Sequence, residues 1–245
     1  MSKALENGIA VLEIISSKRA CTITEIAEAL SLNKSTVSRI IKTFIQKDMV
    51  ELNRSSRMYS IGPAILQMSN RYYKARNIIG QIKGVMENLC KQVEESVHLC
   101  ALSNDAAVVV EQVESASRLV VNAKIGNREP LHASSVGKCL LAFVSDKERE
   151  HMLAKLQFER FTPKTICDKK TLLEELEKIR RQGFALDDNE LTSDVRCVAM
   201  PIFDARGKCV YSLGVSGANS HMTPMKVREI IKKMKAAVKP LMETL

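Results

Sequence analysis

The segment NKSTVSRIIKTFIQKDMV, from Asn33 to Val50, has the pattern of an amphipathic helix. Apolar residues recur at the i, i+3, i+4, i+7 and i+8 spacing of one helix face. The opposite face carries small hydroxyls and cations, with no carboxylate before Asp48. A polyanion repels carboxylates, whereas small hydroxyls permit close approach to phosphates. The segment is therefore typical of a DNA recognition helix, whose inward residues are Val37, Ile40, Ile41, Phe44 and Ile45.

The residues on either side of this helix predict a winged helix-turn-helix. Thr22 and Glu25 have the spacing of a capping box at the start of a short preceding helix. Asn33 is a suitable N-cap for the helix that follows. Beyond it, Val50–Leu52 and Met58–Ile61 alternate as two short strands around a polar, basic turn. Two short helices followed by such a hairpin form a winged helix-turn-helix.

Two further helices are predicted next to this motif. The first runs from about Ser2 to Ser16, and the second begins at Pro63 and continues to Arg76. The second helix is apolar on more than one side and contains two adjacent tyrosines, which favours packing against a second subunit over a cofactor pocket. The first helix is predicted to bury Leu5, Ile9, Leu12 and Ile15 or their near neighbours.

The outer face of the quoted helix supplies the predicted DNA contacts. We expect Arg39 to read base edges and Lys42 to contact a phosphate, with Ser35 and Thr36 approaching the backbone near the helix N-terminus. The arginines of the hairpin tip add phosphate or minor-groove contacts. A small subdomain for protein contact would explain the helix alone, but not this order of elements. The full predicted set is Thr24, Asn33, Lys34, Ser35, Thr36, Ser38, Arg39, Lys42, Arg54 and Arg57.

Charge and hydropathy agree with a polyanionic partner. The formal net charge is +9, and residues 1–75 hold 11 Lys and Arg against 6 Asp and Glu. Every apolar run is too short to span a membrane, so no membrane partner is expected. The N-terminal stretch carries Glu6 and Glu13, which a signal peptide would not. The sequence predicts a cytoplasmic protein.

Seven cysteines and four histidines leave two alternatives open. The cysteines include no CxxC pair, and the histidines have no HxxxH spacing, so we predict no metal site and no cofactor. Buried reduced thiols are the expected state, although a thiol- or metal-responsive regulator remains an alternative. An enzyme would need a cysteine nucleophile and a histidine base that the sequence does not bring together, so no catalytic residue is predicted. The pairs considered combine Cys197 or Cys139 with His132 or His98.

Residues from about Ile78 onward predict an α+β domain with a mostly antiparallel sheet. Short β-branched runs alternate with helices in this part of the chain. The alternative of a nonspecific architectural DNA-binding protein would not explain the presence of so large a second domain. The predicted strands are SVHLCAL, AAVVVEQV, SRLVVNA, FAL, VRCVAMPIF and KCVYSLGVSGA, and the predicted helices include Thr171–Gln182 and a last one from Pro224.

Four blocks of this sequence resemble the IclR family of transcriptional regulators, over nearly the whole chain. STVSRIIKTF resembles the recognition helix of that family, and SSRMYSIGPAILQMS resembles its wing, glycine and linker. LHASSVGKCLLAF, from Leu131 to Phe143, resembles a central signature. FALDDNELTSDVRCVAMPIFDARGK, followed by LGVSGA, resembles a C-terminal one.

The resemblance implies a fold, partners and a mode of action. It implies a winged helix-turn-helix DNA-binding domain in residues 1–62, a linker helix in 63–77, and a GAF-like effector-binding and oligomerisation domain in 78–245. It also implies homodimers or homotetramers that bind promoter operators in double-stranded DNA. We expect a repressor controlled by a small-molecule effector, which the resemblance indicates is an organic acid or a sugar acid.

The resemblance also implies an effector pocket. In chemical terms, Ser135 and the N–H groups at the start of its helix suit a carboxylate, and Asp187 suits a ligand hydroxyl. The chain departs from the family at Asp194, where glycine is frequent, and at Gly214, where relatives carry serine. The implied effector-binding residues are Ser134, Ser135, Val136, Asp187, Val195, Cys197, Gly214 and Ser216.

Overall fold

The structure is a computed structural model that describes residues 2–18, 20–75, 78–116 and 123–244. It consists of two compact units, Met1–Asn77 and Ile78–Leu245. The predicted strand SRLVVNA lies outside the described residues apart from Ala123, and so does Arg76 at the end of the predicted linker helix.

The first unit is a winged helix-turn-helix, which confirms the predicted fold. Its core is formed by side chains from the three helices and the first strand, including Val11, Ile26, Val37 and Val50. In chain order the elements are α1 (Lys3–Ser17), α2 (Ile23–Leu30), α3 (Lys34–Gln46), β1 (Val50–Asn53), β2 (Met58–Ile61) and α4 (Pro63–Ala75).

Helix α1 buries Ile15 and half-buries Leu12, as predicted, but the rest of its buried face differs from the predicted one. Leu5 and Ile9 are exposed, whereas Gly8, Val11 and Ile15 are buried. Gly8 lies beside Phe44, and a Cβ on Gly8 would meet the Phe44 ring at 3.6 Å, an ordinary van der Waals distance. Successive residues are about 100° apart around a helix, so a stripe centred on Gly8 and Val11 turns Ile9 to solvent.

Helices α2 and α3 both begin at their predicted N-cap residues, but only the N-cap of α2 makes side-chain capping hydrogen bonds. The backbone N–H of Thr22 donates to the Glu25 carboxylate at 2.7 Å, and the N–H of Glu25 donates to the Thr22 hydroxyl at 3.3 Å. Ser31, at φ 52°, ends α2 in the left-handed region. Asn33 occupies the N-cap position of α3, as predicted, although its side chain makes no capping hydrogen bond.

The wing is an antiparallel hairpin anchored at both ends. Asn53 shapes its tip, because its side-chain oxygen accepts the N–H groups of Ser55 and Ser56 at 3.0 and 3.1 Å. Cys21 and Tyr59 exchange two backbone hydrogen bonds, which join the hairpin to the segment ahead of α2. At the base, a Cβ on Gly62 would lie 2.4 Å from the Asp48 carbonyl oxygen, so only glycine fits.

The second unit is built on a six-stranded, fully antiparallel sheet with the order β5-β4-β3-β8-β7-β6. Strand β5 was not predicted from the sequence. The elements are α5 (Ile78–Val93), β3 (Ser96–Ser103), β4 (Ala106–Val113), β5 (Arg128–Pro130), α6 (Ser135–Phe143), α7 (Asp146–Leu153), α8 (Lys169–Gln182), β6 (Ala185–Asp188), β7 (Val195–Phe203), β8 (Cys209–Ala218) and α9 (Pro224–Thr244).

Helices cover both faces of this sheet. Helices α6 and α8 share one apolar cluster with Cys100, Val109 and Ala199 of the strands. Helices α5 and α9 pack on each other, α5 also packs on β3 and β4, and α9 on β7. Alternate strand residues face opposite sides, so Val198 and Met200, both buried, face away from Ala199. The arrangement confirms the predicted antiparallel α+β class.

Two helical glycines give a matched test of this packing. A Cβ on Gly137 of α6 would lie 2.4 Å from the Pro130 carbonyl oxygen, whereas nothing lies within 4 Å of one on Gly84 of α5. Gly137→Ala should lower the free energy of unfolding by about 1–3 kcal/mol through overpacking. Gly84→Ala should raise it by about 0.5–1 kcal/mol. Urea unfolding followed by circular dichroism checks both, and changes of the same sign would contradict the packing at Pro130.

Candidate functional site

The first candidate surface is the outer face of α3. Lys34, Ser35, Ser38, Arg39 and Lys42 are exposed there. Thr36 is half-buried, as is Thr24 on α2, while Asn33 and the wing arginines Arg54 and Arg57 are exposed. Val37 and Ile41 fill the core on the opposite side. Ile45, predicted to face inward, is 37% exposed because it lies in the last turn of the helix.

The N-terminus of α3 is electrostatically suited to a phosphate. The Asn33 side chain does not cap it, and its first turn has no acidic residue. Its first backbone N–H groups therefore have no acceptor within the helix and can donate to an anion. The three cations of α3 add to the positive field of the helix dipole at this end.

The second candidate site is a cavity of about 150 Å³ in the second unit, beside the start of α6. Seven of the eight predicted effector residues line it, and Gly214 is the exception. Sequence reasoning missed five lining residues: Leu191 and Thr192 lie within the quoted C-terminal block, whereas His98, Ala123 and Glu129 lie outside every quoted block. The cavity is lined by His98, Ala123, Glu129, Ser134, Ser135, Val136, Asp187, Leu191, Thr192, Val195, Cys197 and Ser216.

Ser134 caps the helix that opens onto this cavity. Its hydroxyl accepts the N–H of Gly137 at 3.0 Å and donates to the Pro130 carbonyl at 2.8 Å. Ser135 and Val136 follow as the first residues of α6, and both are buried. Their N–H groups belong to the first turn of α6. The positive end of the helix dipole therefore faces the cavity.

Two carboxyl groups line the cavity. Asp187 is only 2% exposed, and its Oδ1 accepts the N–H groups of Glu190 at 2.7 Å and Leu191 at 3.4 Å. Asp187 is therefore a buried residue of β6. Burial raises the pKa of Asp187 to about 7 and also raises the pKa of Glu129.

A buried ion pair fixes the loop between β6 and β7 that closes one side of the cavity. Lys138 of α6 is fully buried, and its Nζ lies 2.5 Å from Oε1 of Glu190. The hydroxyls of Thr162 and Thr165 donate to the Glu190 carbonyl at 3.2 and 2.6 Å. Asp194, at the end of this loop, has φ 61°, a conformation that glycine adopts at no steric cost and Asp tolerates.

His98 and Cys197 meet at this cavity as neutral groups. Burial lowers the pKa of His98 to about 4 and raises the pKa of the Cys197 thiol. A thiolate nucleophile beside an imidazolium would require the opposite shifts. Cys139 and His132 are also unsuited to nucleophilic catalysis. Burial raises the pKa of Cys139, and the ring of His132 is hydrogen-bonded to the Glu159 carbonyl at 2.8 Å.

The thiol and metal alternatives find little physical support in the described residues. Burial raises the pKa of Cys100, and that of Cys209 to about 12, which disfavours reactive thiolates. Within the described ranges, no three His, Cys, Asp or Glu side chains are grouped so that they could hold a metal ion. In the same part of the chain, no helix combines the length and apolar character needed to cross a bilayer.

Comparison with known proteins settles the family. Residues 70–242 match the family described as bacterial transcriptional regulator IclR C-terminal, and residues 4–54 match the IclR helix-turn-helix domain. The chain belongs to the IclR family of transcriptional regulators. The helix-turn-helix of an IclR-family chain binds DNA, and this chain is accordingly a DNA-binding transcriptional regulator.

Relatives of this IclR-family chain are also described as helix-turn-helix transcriptional regulators or repressors. The HTH-type transcriptional regulator BhcR of Paracoccus denitrificans is 30% identical over 225 residues, 92% of this chain and 81% of the relative. The HTH-type transcriptional repressor AllR of Escherichia coli is 30% identical over 223 residues, 91% and 82% of the two chains. The crystal structure of an IclR homologue complexed with 4-hydroxybenzoate, from Microbacterium hydrocarbonoxydans, has a TM-score of 0.85 at 23% identity, covering 99% and 100% of the chains, which is a likeness of fold.

The buried carboxyl of Asp187 gives a pH-dependent prediction. Its folded-state pKa of about 7 lies above its ordinary value of 3.8, so its contribution to stability is present at low pH and is lost as the pH rises to about 7. Asp187→Asn keeps the Oδ1 acceptor and removes the charge. The free energy of unfolding of the variant, relative to wild type, should therefore rise by about 2–4 kcal/mol between pH 4 and 8.

Asp188→Asn is the matched control on the same strand. Partial burial raises the pKa of Asp188, but Arg196 and Lys164 lower it further, so the net shift is downward. The ion pairs of Asp188 therefore add stability at neutral pH that is lost on acidification. This variant should therefore lose stability relative to wild type as the pH rises. Urea unfolding at each pH measures both differences. A difference for Asp187→Asn that does not change with pH would contradict a buried, titrating carboxyl.

Proposed function

We propose that this chain is a promoter-binding repressor whose affinity for its operator is controlled by a small organic acid or sugar acid bound in the cavity at the start of α6. The observation that carries the proposal is the outer face of α3, which presents hydroxyls and cations to solvent and has no carboxylate. Such a face fits the major groove of DNA. The protein would act in the cytoplasm, where promoter DNA is accessible.

The side chains of α3 and the wing suggest separate roles in reading bases and in contacting phosphates. Arg39 lies in the second turn of α3 and can contact the O6 and N7 atoms of a guanine with two of its guanidinium nitrogens. Lys42, one turn further on, is suited to a phosphate. Ser35 and the uncapped N-terminus of α3 would hold a phosphate close to the backbone, and Arg54 and Arg57 would extend the contact from the wing.

The cavity suits a small carboxylate effector. A cavity of about 150 Å³ is the size that accommodates a ligand as small as benzene. The N–H groups at the start of α6 can hold a carboxylate, and the hydroxyls of Ser135 and Ser216 add polar contacts. The relative AllR is named a repressor, and the structural neighbour from Microbacterium hydrocarbonoxydans was solved with 4-hydroxybenzoate, which is itself a carboxylate.

Exposed apolar side chains on α4 support assembly into a homodimer or homotetramer. Leu66 is 64% exposed and Met68 is 54% exposed, and Tyr72 is also exposed on the same helix. A second subunit would bury these side chains. Two helix-turn-helix units in a dimer must match the spacing of two operator half-sites, so a small effector-induced change in their separation would alter operator affinity.

The separate roles of these α3 side chains predict different effects for two substitutions. Arg39→Ala should weaken binding to the preferred operator by roughly 1–3 kcal/mol and relax base preference at one position. Lys42→Ala should weaken binding to all sequences about equally. It should also reduce the slope of log K against log salt concentration by about one unit. Operator selection from a random duplex pool, followed by titrations at several salt concentrations, measures both.

Lys18→Ala is the charge-matched control, because Lys18 follows α1 and is outside the predicted contacts. It should leave base preference unchanged. If Arg39→Ala keeps the full base preference of wild type, the base-reading role of Arg39 is wrong. If Arg39→Ala and Lys18→Ala lose the same affinity, the effect of Arg39 comes only from the loss of one positive charge.

The effector prediction is checked by thermal shift of the full chain with a panel of small organic acids and sugar acids. A ligand present at one hundred times its Kd should stabilise the folded state by about 2.7 kcal/mol. The same ligand should change operator affinity, and in a repressor it should change transcription from an operator-bearing promoter in vitro. A panel in which every acid leaves the melting temperature unchanged would contradict this effector class, while DNA binding would stand.

A further inference from the structure

His98 occupies space that exists only because residue 214 is glycine. His98 on β3 and Gly214 on β8 are directly paired in the sheet. A Cβ on Gly214 would lie 2.4 Å from His98 Nε2, 2.6 Å from its Cε1 and 2.8 Å from a methyl carbon of Val136. Any side chain at 214 would therefore displace the imidazole, which now lies over the glycine backbone and contributes to the cavity wall.

The imidazole, which lines this cavity, carries a buried polar atom without a hydrogen-bond partner. His98 is only 5% exposed, and its Nδ1 has no hydrogen-bond partner among the described residues. A buried polar atom without a partner costs stability, and such atoms are rare in native proteins unless they have another role. A ligand in the adjoining cavity would supply the missing partner.

The neighbours of His98 define what that ligand must bring. Among the described lining residues there is no Lys or Arg, and the polar side chains are carboxyls, hydroxyls, a thiol and this imidazole. The buried His98 stays neutral at pH 7, so Nδ1 either accepts or donates a hydrogen bond according to its tautomer. A hydroxyl group can satisfy either tautomer, because it both donates and accepts. An aliphatic C–H can satisfy neither.

We propose that His98, in the space opened by Gly214, contacts the effector and recognises a hydroxyl group on it, so that the cavity selects small hydroxycarboxylic acids over acids that lack the hydroxyl. This inference rests on the proposed function, which places an organic acid in the same cavity. The start of α6 would hold the carboxylate, and His98 would discriminate between ligands through the second functional group.

Two pairs of probe acids differ only in the hydroxyl: lactate and propionate, and glycolate and acetate. Titration calorimetry of the full chain at pH 7 measures their Kd values. Wild type should bind each hydroxy acid at least about tenfold more tightly than its partner, because a C–H group leaves Nδ1 buried without a partner. Melting temperatures and circular dichroism spectra of all variants show whether each is folded.

Three substitutions separate the role of His98 from a general effect on folding. His98→Phe keeps a flat ring but removes both nitrogens, so the preference for the hydroxy acid should fall to about equal binding. His98→Asn places an amide near the position of Nδ1 and should restore most of the preference. Gly214→Ala should displace the imidazole and reduce the preference, whereas Gly84→Ala on α5 should leave it unchanged.

The outcomes distinguish this role from the proposed function itself. Loss of the preference in His98→Phe, with recovery in His98→Asn, supports the role. Equal binding of the paired acids by wild type, or an undiminished preference in folded His98→Phe, overturns the role of His98 but leaves the organic-acid effector standing. If wild type binds none of the four acids, while another acid of the wider panel binds and changes operator affinity, the hydroxy-acid class alone is wrong. If no acid binds, both proposals fail.

Discussion

The buried ammonium of Lys138 is the constraint on which the cavity depends. A fully buried charge is tolerable only with a close partner, and Glu190 supplies one at 2.5 Å. That pairing ties the loop between β6 and β7 to α6, and the Asp187 carboxyl holds the same loop through two backbone N–H groups. Removing either partner of a buried ion pair typically costs about 3–5 kcal/mol. The cavity wall is therefore held by charge pairing and backbone hydrogen bonds as well as by apolar packing.

The same constraint sets the electrostatics of ligand binding. Asp187 and Glu190 stand near Lys138, and Glu129 lines the same cavity; burial raises the pKa of all three carboxyls. One ammonium cannot neutralise three carboxylates, so at least one of these groups is favoured in its protonated form. A protonated Asp187 can donate to a ligand carboxylate, whereas an ionised one would repel it. Binding of the proposed anionic effector would therefore be coupled to the uptake of a proton.

Local patterns were predicted well from the sequence, whereas properties set by distant residues were not. The capping box of α2, the helix α3 and the strand VRCVAMPIF depend on spacing within a few residues, and each was located from the sequence. Part of the buried face of α1 was misjudged because packing on α3, where Gly8 lies beside Phe44, sets that face, and these residues are far apart in sequence. Strand β5 is only three residues long and carries a proline, so it has no alternating pattern. His98 was considered only as a base, because its pairing with Gly214 depends on sheet register.

The magnitudes of these interactions are sufficient for regulation without a large rearrangement. A hundredfold change in operator affinity corresponds to about 2.7 kcal/mol, and allosteric coupling energies are typically about 1–3 kcal/mol. One buried hydrogen bond gained or lost, or one carboxyl changing its protonation state, has an energy of this order. The Asp187 carboxyl combines both, because it lines the cavity and also holds the N–H groups of the adjoining loop. A ligand that competes for Asp187 Oδ1 would alter the hydrogen bonds of the loop, which would couple occupancy of the cavity to the conformation of the loop.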